Sequence, residues 1–171
     1  MGIRLASQKD FAEIMEIIRD AKNFIRNNGC SQWNTPDGYP TESTILNDIL
    51  KQQLYVFEQD KIKGIMVCIL GKEASYEHIH GSWLTSDSPY MTIHRLAVKQ
   101  EFHHTGISGK LVNFAEQLAL KLGCNSIRVD THPLNIPMQN LLSKHNYKKC
   151  GYINITSSKT DTLRIAYEKL L

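Results

Sequence analysis

At 171 residues, with 22% charged and 42% hydrophobic side chains, the chain has the size of one domain and the balance of an ordinary globular protein with a substantial core. A net charge of +3 with no long Lys/Arg run excludes the basic tracts of nucleic-acid binding, yet it suits a polyanionic small ligand. No run reaches membrane-spanning length, and Ile3–Gln8 supplies no apolar core for a secretory signal, so a reducing cytoplasm is the expected location.

Ile3–Ala6 predicts a short opening strand. Ser7 to Asp10 offers helix capping, and Phe11, Ile14, Ile18, Ala21 and Ile25 form the apolar stripe of a helix through Asn27. Residues 28–40 make a loop rich in Asn, Gly and Pro, after which Thr41 or Ser43 caps a second helix through Lys51. Leu54–Glu58 and Ile62–Leu70 read as a hairpin around Gln59-Asp60-Lys61. Lys72–Pro89 is long and poorly patterned, a flexible or functional loop with room for a short strand. A strand and a long helix follow within Thr92–Leu122. Ser126–Thr131 is the next strand, and His132–Asn135 turns into a helix through Lys144 or His145. Two final strands, Lys148–Thr156 and Thr162–Leu170, are joined by Ser157–Asp161.

The cysteines 30, 68, 124 and 150 are widely separated. Cys68 lies in an apolar run and reads as a small buried hydrophobe. With no C-x-x-C, and with His78-x-His80 and His103-His104 lacking nearby carboxylate or Cys partners, no metal is expected.

Thr92–Leu122 carries the chemistry. Its helix face is set by Ile107, Leu111, Phe114 or Ala115, Leu118 and Leu122, and Gly106 and Gly109 sit where loop becomes helix. A helix start has N–H groups with no partner in the helix and the positive end of the dipole; small residues there let a phosphate approach the backbone. The expectation is an anion site at the end of a buried strand. A P-loop fails, because its first Gly falls at His104 and its Ser/Thr at Leu111. A nucleophile elbow fails because Gly106-Ile107-Ser108-Gly109 is one residue short, and a dinucleotide fingerprint lacks its third glycine and acidic residue. Two glycines easing a tight turn are the plain alternative.

The stretch resembles the acyl-CoA-binding motif of the GNAT superfamily of N-acyltransferases, [R/Q]-x-x-G-x-[G/A] after a strand ending L-x-V. Leu96-Ala97-Val98 matches the strand end, and His103-His104-Thr105-Gly106-Ile107-Ser108 matches the loop, with Gly106 on the central glycine. His103 stands where Arg or Gln is usual, and Ser108 where Gly or Ala is usual. Downstream, Asn135 sits on the family's frequent cofactor-contacting Asn. Asn146-Tyr147 sits on its Gly-Phe pair, Asn being another residue that tolerates a left-handed backbone. Leu142 replaces the Tyr that customarily serves as general acid.

The resemblance implies an α/β (α+β) fold, a single GNAT-like domain over 1–171 whose mixed central sheet has splayed middle strands flanked by helices. It implies acetyl-CoA (CoA) as cofactor. The pantetheine arm is expected on the backbone of Leu96, Ala97 and Val98, and the pyrophosphate at His104–Lys110, with His103, His104, Thr105, Gly106, Ile107, Ser108, Gly109 and Lys110 forming the loop and Asn135 adding a contact. The acceptor is a primary amine of a small molecule or peptide, and an exposed terminal strand offers an edge for a homodimer. Such an amine, with a reference pKa of ~10.4, is neutral roughly once in 10³ molecules at pH 7, so a base or a water chain has to deprotonate it. His94 on the central strand is the first candidate, with Thr92 on the same face placed to hold a water, and Glu77 or His80 as alternatives. Ser143, Tyr147 or a water is left to protonate the thiolate, or nothing does. Trp33 and Tyr39, like Trp83 and Tyr90, either wall the acceptor pocket or cover the core. Two function classes follow: an acyl-CoA-dependent N-acyltransferase, and a module that holds CoA without turnover.

Overall fold

The computed structural model describes every residue except Met1, Ser157 and Lys159. The elements sort into two compact units, Met1–Cys68 with His94–Phe114, and Ile69–Ile93 with Ala115–Leu171.

In the first unit, β1 (Gly2–Leu5) begins one residue earlier than predicted. Arg4 on it reaches Asp10 (2.8 and 2.9 Å) and Glu58 (2.7 Å). The Ser7 cap serves a 3-10 turn, Gln8–Asp10, so α1 (Phe11–Asn27) starts only after it. Its buried stripe is Ile14, Ile17, Ile18 and Ala21, while Phe11 and Ile25 are half-buried. Each such isoleucine contributes about 1.5–3 kcal/mol of transfer free energy. Of the two predicted caps for α2 (Glu42–Leu50), Thr41 serves: its hydroxyl accepts from Thr44 N at 3.2 Å and its N–H donates to Thr44 Oγ1 at 3.3 Å. β2 (Leu54–Gln59) and β3 (Lys61–Leu70) form the expected antiparallel hairpin, with Asp60 at its tip in the left-handed region, φ 64°.

In the second unit the long loop before β5 (Tyr90–Val98) holds a 3-10 turn, Ala74–Tyr76, and a short strand, β4 (Ile79–Gly81). β6 (Ser126–Thr131) has the predicted bounds. It is followed by α4 (Ile136–Lys144), β7 (Lys148–Asn154) and β8 (Leu163–Leu170). The predicted turn Ser157–Asp161 is described only in part, since Ser157 and Lys159 lie outside the described residues. β6 pairs antiparallel with β8, β8 with β7, and β7 with β4. Gly81 and Gly151 face each other in the last ladder at φ 140° and 146°. A Cβ on either would press into the carbonyl opposite, of Cys150 or His80.

The strand order is β1-β2-β3-β5-β6-β8-β7-β4, one mixed eight-stranded sheet. β5 pairs parallel with β6 over Tyr90↔Ser126 to Thr92↔Arg128, and the ladder stops there although both strands continue. α3 (Ile107–Lys121) follows β5. Its buried face is Ile107, Leu111, Val112, Ala115 and Ala119, whereas Leu118 is half-buried and Leu122 is exposed, contrary to the predicted stripe. The i, i+4 steps carry the face around the helix, and Leu122 falls in the turn that Gly123 closes at φ 77°. No helix among the described residues is long and apolar enough to cross a membrane.

Candidate functional site

The predicted anion loop lies wholly in the first unit. At the end of β5 the Lys99 N–H donates to Lys63 O at 2.9 Å, and a 3-10 turn, Gln100–Phe102, reverses the chain. His103 does not extend outward as an Arg or Gln of the motif would. Its Nε2–H donates to Val98 O at 3.0 Å and its ring meets Phe24 edge-on at 4.7 Å, so it clamps the loop to the strand end. Thr105 Oγ1 donates to Phe102 O at 2.6 Å. His104 and Gly106 both take left-handed backbone, φ 63° and 82°. That pair of turns starts α3, whose first bond runs from Lys110 N to Gly106 O at 3.1 Å. The amides of Ile107, Ser108 and Gly109 precede that bond and have no helix carbonyl to reach, the arrangement an anion requires.

Gly64 on β3 brings this helix start close to the strand. A Cβ there would sit 3.1 Å from Ile107 Cγ2, 3.2 Å from Ala97 O and 3.2 Å from Leu111 Cδ1. Among the surrounding cations, Lys99 stands 3.5 Å from both Glu16 and Glu101, and Lys61 donates to Glu101 at 3.0 Å. Lys110 is exposed, its ammonium 5.5 Å from the centre of the Phe57 ring.

β5 carries the candidate base. His94 is half-buried, and Thr92 is buried with a hydroxyl that has no hydrogen-bond partner among the described residues. The next residue breaks the strand: Arg95 has φ 49°, a left-handed conformation rare for a long side chain, and His94, Arg95 and Leu96 are half-buried in a row instead of alternating. The Arg95 side chain enters the unit and takes both carboxylate oxygens of Asp48. Nε lies 2.7 Å from Oδ2 and Nη2 donates to Oδ1 at 2.9 Å, at side-chain exposures of 8% and 2%. Nη1 donates to the Tyr39 hydroxyl, and Gln53 Nε2 donates to Asp48 Oδ1 at 2.8 Å. No motif or spacing marks Arg95 or Asp48. An arginine inside an apolar strand and a lone aspartate on an otherwise apolar helix face were the only signals.

Of the remaining predicted residues, Trp33 is half-buried in the first unit and the others belong to the second. Asn135 is the N-cap of α4, its Oδ1 accepting from Met138 N at 3.2 Å. His132 beside it accepts the Leu134 N–H on Nδ1 at 3.0 Å and meets Asp161 through Nε2 at 3.1 Å. Leu142 is fully buried, Ser143 is exposed on α4, and Asn146 is left-handed at φ 64° as predicted. Tyr147 is buried, with the Lys169 ammonium 5.7 Å from its ring centre. His80 is exposed on the edge strand β4, and Glu77 is exposed just before it. Trp83 and Tyr90 are core cover: they sandwich the Arg128 guanidinium at 4.3 and 4.0 Å. Arg128 in turn donates to the buried Glu168 at 3.1 Å. Burial pushes the Cys68 thiol up to about 12, so it stays protonated and inert.

Residues 12–152 match the model of the acetyltransferase (GNAT) family. A GNAT-family acetyltransferase from Streptococcus agalactiae 2603 superposes with a TM-score of 0.88 at 32% identity, covering 99% of this chain and 94% of that one. A GNAT-family acetyltransferase from Listeria monocytogenes 4b F2365 gives 0.74 at 19% identity, covering 99% and 94%. The PaiA N-acetyltransferase from Thermoplasma acidophilum, solved in complex with coenzyme A, gives 0.67 at 18%, covering 99% and 98%. Among curated proteins none matches the chain.

Proposed function

Since the chain belongs to the GNAT acetyltransferase family, we propose that it moves an acetyl group from acetyl-CoA to a primary amine of a small molecule or peptide. The observation that carries this is the left-handed Gly106 at φ 82°, which opens α3 and leaves the amides of Ile107, Ser108 and Gly109 for the pyrophosphate. His104, Thr105 and Lys110 flank that position. The arm of the cofactor pairs with the backbone of Leu96, Ala97 and Val98. At Val98 the carbonyl already receives His103, so His103 acts in this reading through the strand end.

When bound, acetyl-CoA supplies the thioester whose C–S bond breaks as the amine forms the new C–N bond. His94 takes the proton that the amine loses. The buried Thr92 hydroxyl suits a water that relays it. Of the candidates for protonating the departing sulfur, the phenol of Tyr147 is a stronger acid than the hydroxyl of Ser143. The coenzyme-A complex of PaiA supports the cofactor, and four cysteines without C-x-x-C spacing fit a reducing cytoplasm. One observation favours a second reading, a CoA-holding module without turnover: the customary Tyr position is Leu142, sealed in the core at 0% exposure.

Calorimetric titration with acetyl-CoA, ATP and NAD, followed by thiol release with an amine panel, tests the proposal. Acetyl-CoA is expected to bind in the micromolar range and to outcompete the other two at equal concentration, with thiol released for at least one amine. Equal binding of all three reduces the loop to a generic anion site. Tight binding without release across the panel establishes the module instead.

A further inference from the structure

Past the last rung of the β5–β6 ladder, Thr92↔Arg128, β6 runs on to Thr131. Asp130, its penultimate residue, shares a face with Arg128, as Thr92 shares one with Tyr90. The Arg128 guanidinium lies 4.0 Å from the centre of the Tyr90 ring, so these are one face of the sheet. In the ladder with β8, Asp130 stands opposite Ala166, and Tyr76 packs against that small side chain. The buried Tyr76 phenol donates to Asp130 Oδ2 at 2.8 Å. Burial, then the charge of Asp130 and this hydrogen bond, push the phenol well above its usual range, so it stays a donor.

Asp130 is thereby fixed but not neutralised. It is half-buried, and among the described residues no donor reaches its Oδ1 and no cation pairs with it. The arginine on its face is engaged elsewhere: Arg128 Nε donates to Glu168 at 3.1 Å and Nη2 to Thr85 O at 2.8 Å. The charge of Glu73 acts on Tyr76 as well, so the local field is negative. Diagonally across the strands from Asp130 lies the Thr92 hydroxyl, at 1% exposure and with no hydrogen-bond partner among the described residues. A buried phenol needs only a neutral acceptor, and a carboxylate drawn out of water without a cation is costly, so the Tyr76 bond does not account for an aspartate here. In sheets with parallel strands, ligands lie beyond the strands' carboxyl ends, and that end of β6 carries Asp130.

We propose that Asp130, held by Tyr76 and backed by the Thr92 hydroxyl, binds the acceptor's ammonium group, so that the acceptor is recognised as a cation. The proposal rests on the transferase reading above and deepens it. An N–H of the ammonium donating to Oδ1 makes a charge-assisted bond, roughly twice as strong as a neutral one. The nitrogen then lies beside the hydroxyl assigned above to the relay water, which takes its proton before attack. Aliphatic primary amines, protonated at neutral pH, are favoured over arylamines, which are not.

Asp130→Asn and Thr92→Val test the site, with n-butylammonium and its neutral counterpart n-butanol as probes in an NMR titration. In the wild-type protein n-butylammonium is expected to shift the amides of residues 92 and 129–131 saturably, and n-butanol is not. Asp130→Asn should weaken the ammonium about tenfold or more, and Thr92→Val about threefold while raising the melting temperature, because an unmet hydroxyl is removed. With an aliphatic acceptor that is turned over, the Asp130→Asn loss should fall on acceptor KM rather than kcat, leave acetyl-CoA affinity within about twofold, and narrow the preference over arylamines. Equal response to the two probes, unchanged ammonium affinity in either variant, or a matching loss of acetyl-CoA affinity overturns the proposal. A wild-type protein that binds n-butylammonium here but releases no thiol with any amine removes the transferase reading and keeps the cation site. Turnover with an acceptor KM that Asp130→Asn leaves unchanged does the reverse.

Discussion

His94 is the residue on which turnover depends. His94→Ala should lower the rate by about 10²–10⁴-fold, the usual worth of a positioned acid–base group. Cofactor affinity should hold, because the strand is proposed to contact the arm through the backbone of its neighbours. Near-normal turnover would shift the base to a water chain anchored by Thr92. Joint loss of binding and stability would mark His94 as a core residue. Gly106→Asp tests the loop. The side chain has open space, but φ 82° strains any L-residue, so a stability loss of about 1–2 kcal/mol is expected alongside complete loss of acetyl-CoA binding, read by calorimetry. A folded Gly106→Asp protein that still binds acetyl-CoA refutes the assigned loop.

Among the elements, β4 is the one that local sequence hardly announces. Three residues within a polar loop become a strand because Gly81 and Gly151 let two backbones meet closer than any side chain permits, and Ser82 N closes the ladder onto Cys150 O at 3.0 Å. Gly151→Ala should therefore cost about 2 kcal/mol or more and lower the melting temperature by about 4–8 °C, with faster amide exchange at residues 79–82. An unshifted melting curve would mean that β4 adds nothing to the sheet. The helices behaved differently. α1, α2 and α4 follow caps and apolar spacing that are local, so their bounds were legible to within a residue or two. The face of α3 was not, since its last turns are decided by what the helix packs against.

At the scale of the molecule, carboxylates hydrogen-bonded to arginine set the response to acid. Burial alone would raise the Glu168 carboxyl, but hydrogen bonds from Ser126, Thr85 and Arg128, with the Arg128 charge, hold it below the usual range. Hydrogen bonding to Arg4 likewise holds Asp10 at about 2. A carboxyl whose folded value is depressed contributes stability that is complete above its unfolded value and is lost as pH falls through the folded one. For Asp10 that window runs from about 4 down to about 2, so stability should decline across it. Glu168→Gln should flatten part of the acid decline and, by leaving Arg128 buried without its countercharge, cost about 3–5 kcal/mol near neutrality, read by urea unfolding. Equal stability of the variant and the parent at neutral pH would refute a structural role for this pair.

What the sequence determined by itself was everything that depends on near neighbours: helix periods and caps, the β2–β3 hairpin, the left-handed Asn146, and the loop-to-helix signature at Gly106. These rest on backbone preferences within a few residues. Tertiary structure alone decided that Arg95 leaves the strand pattern to meet Asp48, and that His103 turns back onto Val98. It also made Trp83 and Tyr90 the cover for Arg128 and Glu168. Each of those is a pairing of polar groups away from water. No residue type announces such a partner, because the energy of a buried charge is fixed by what the fold brings against it.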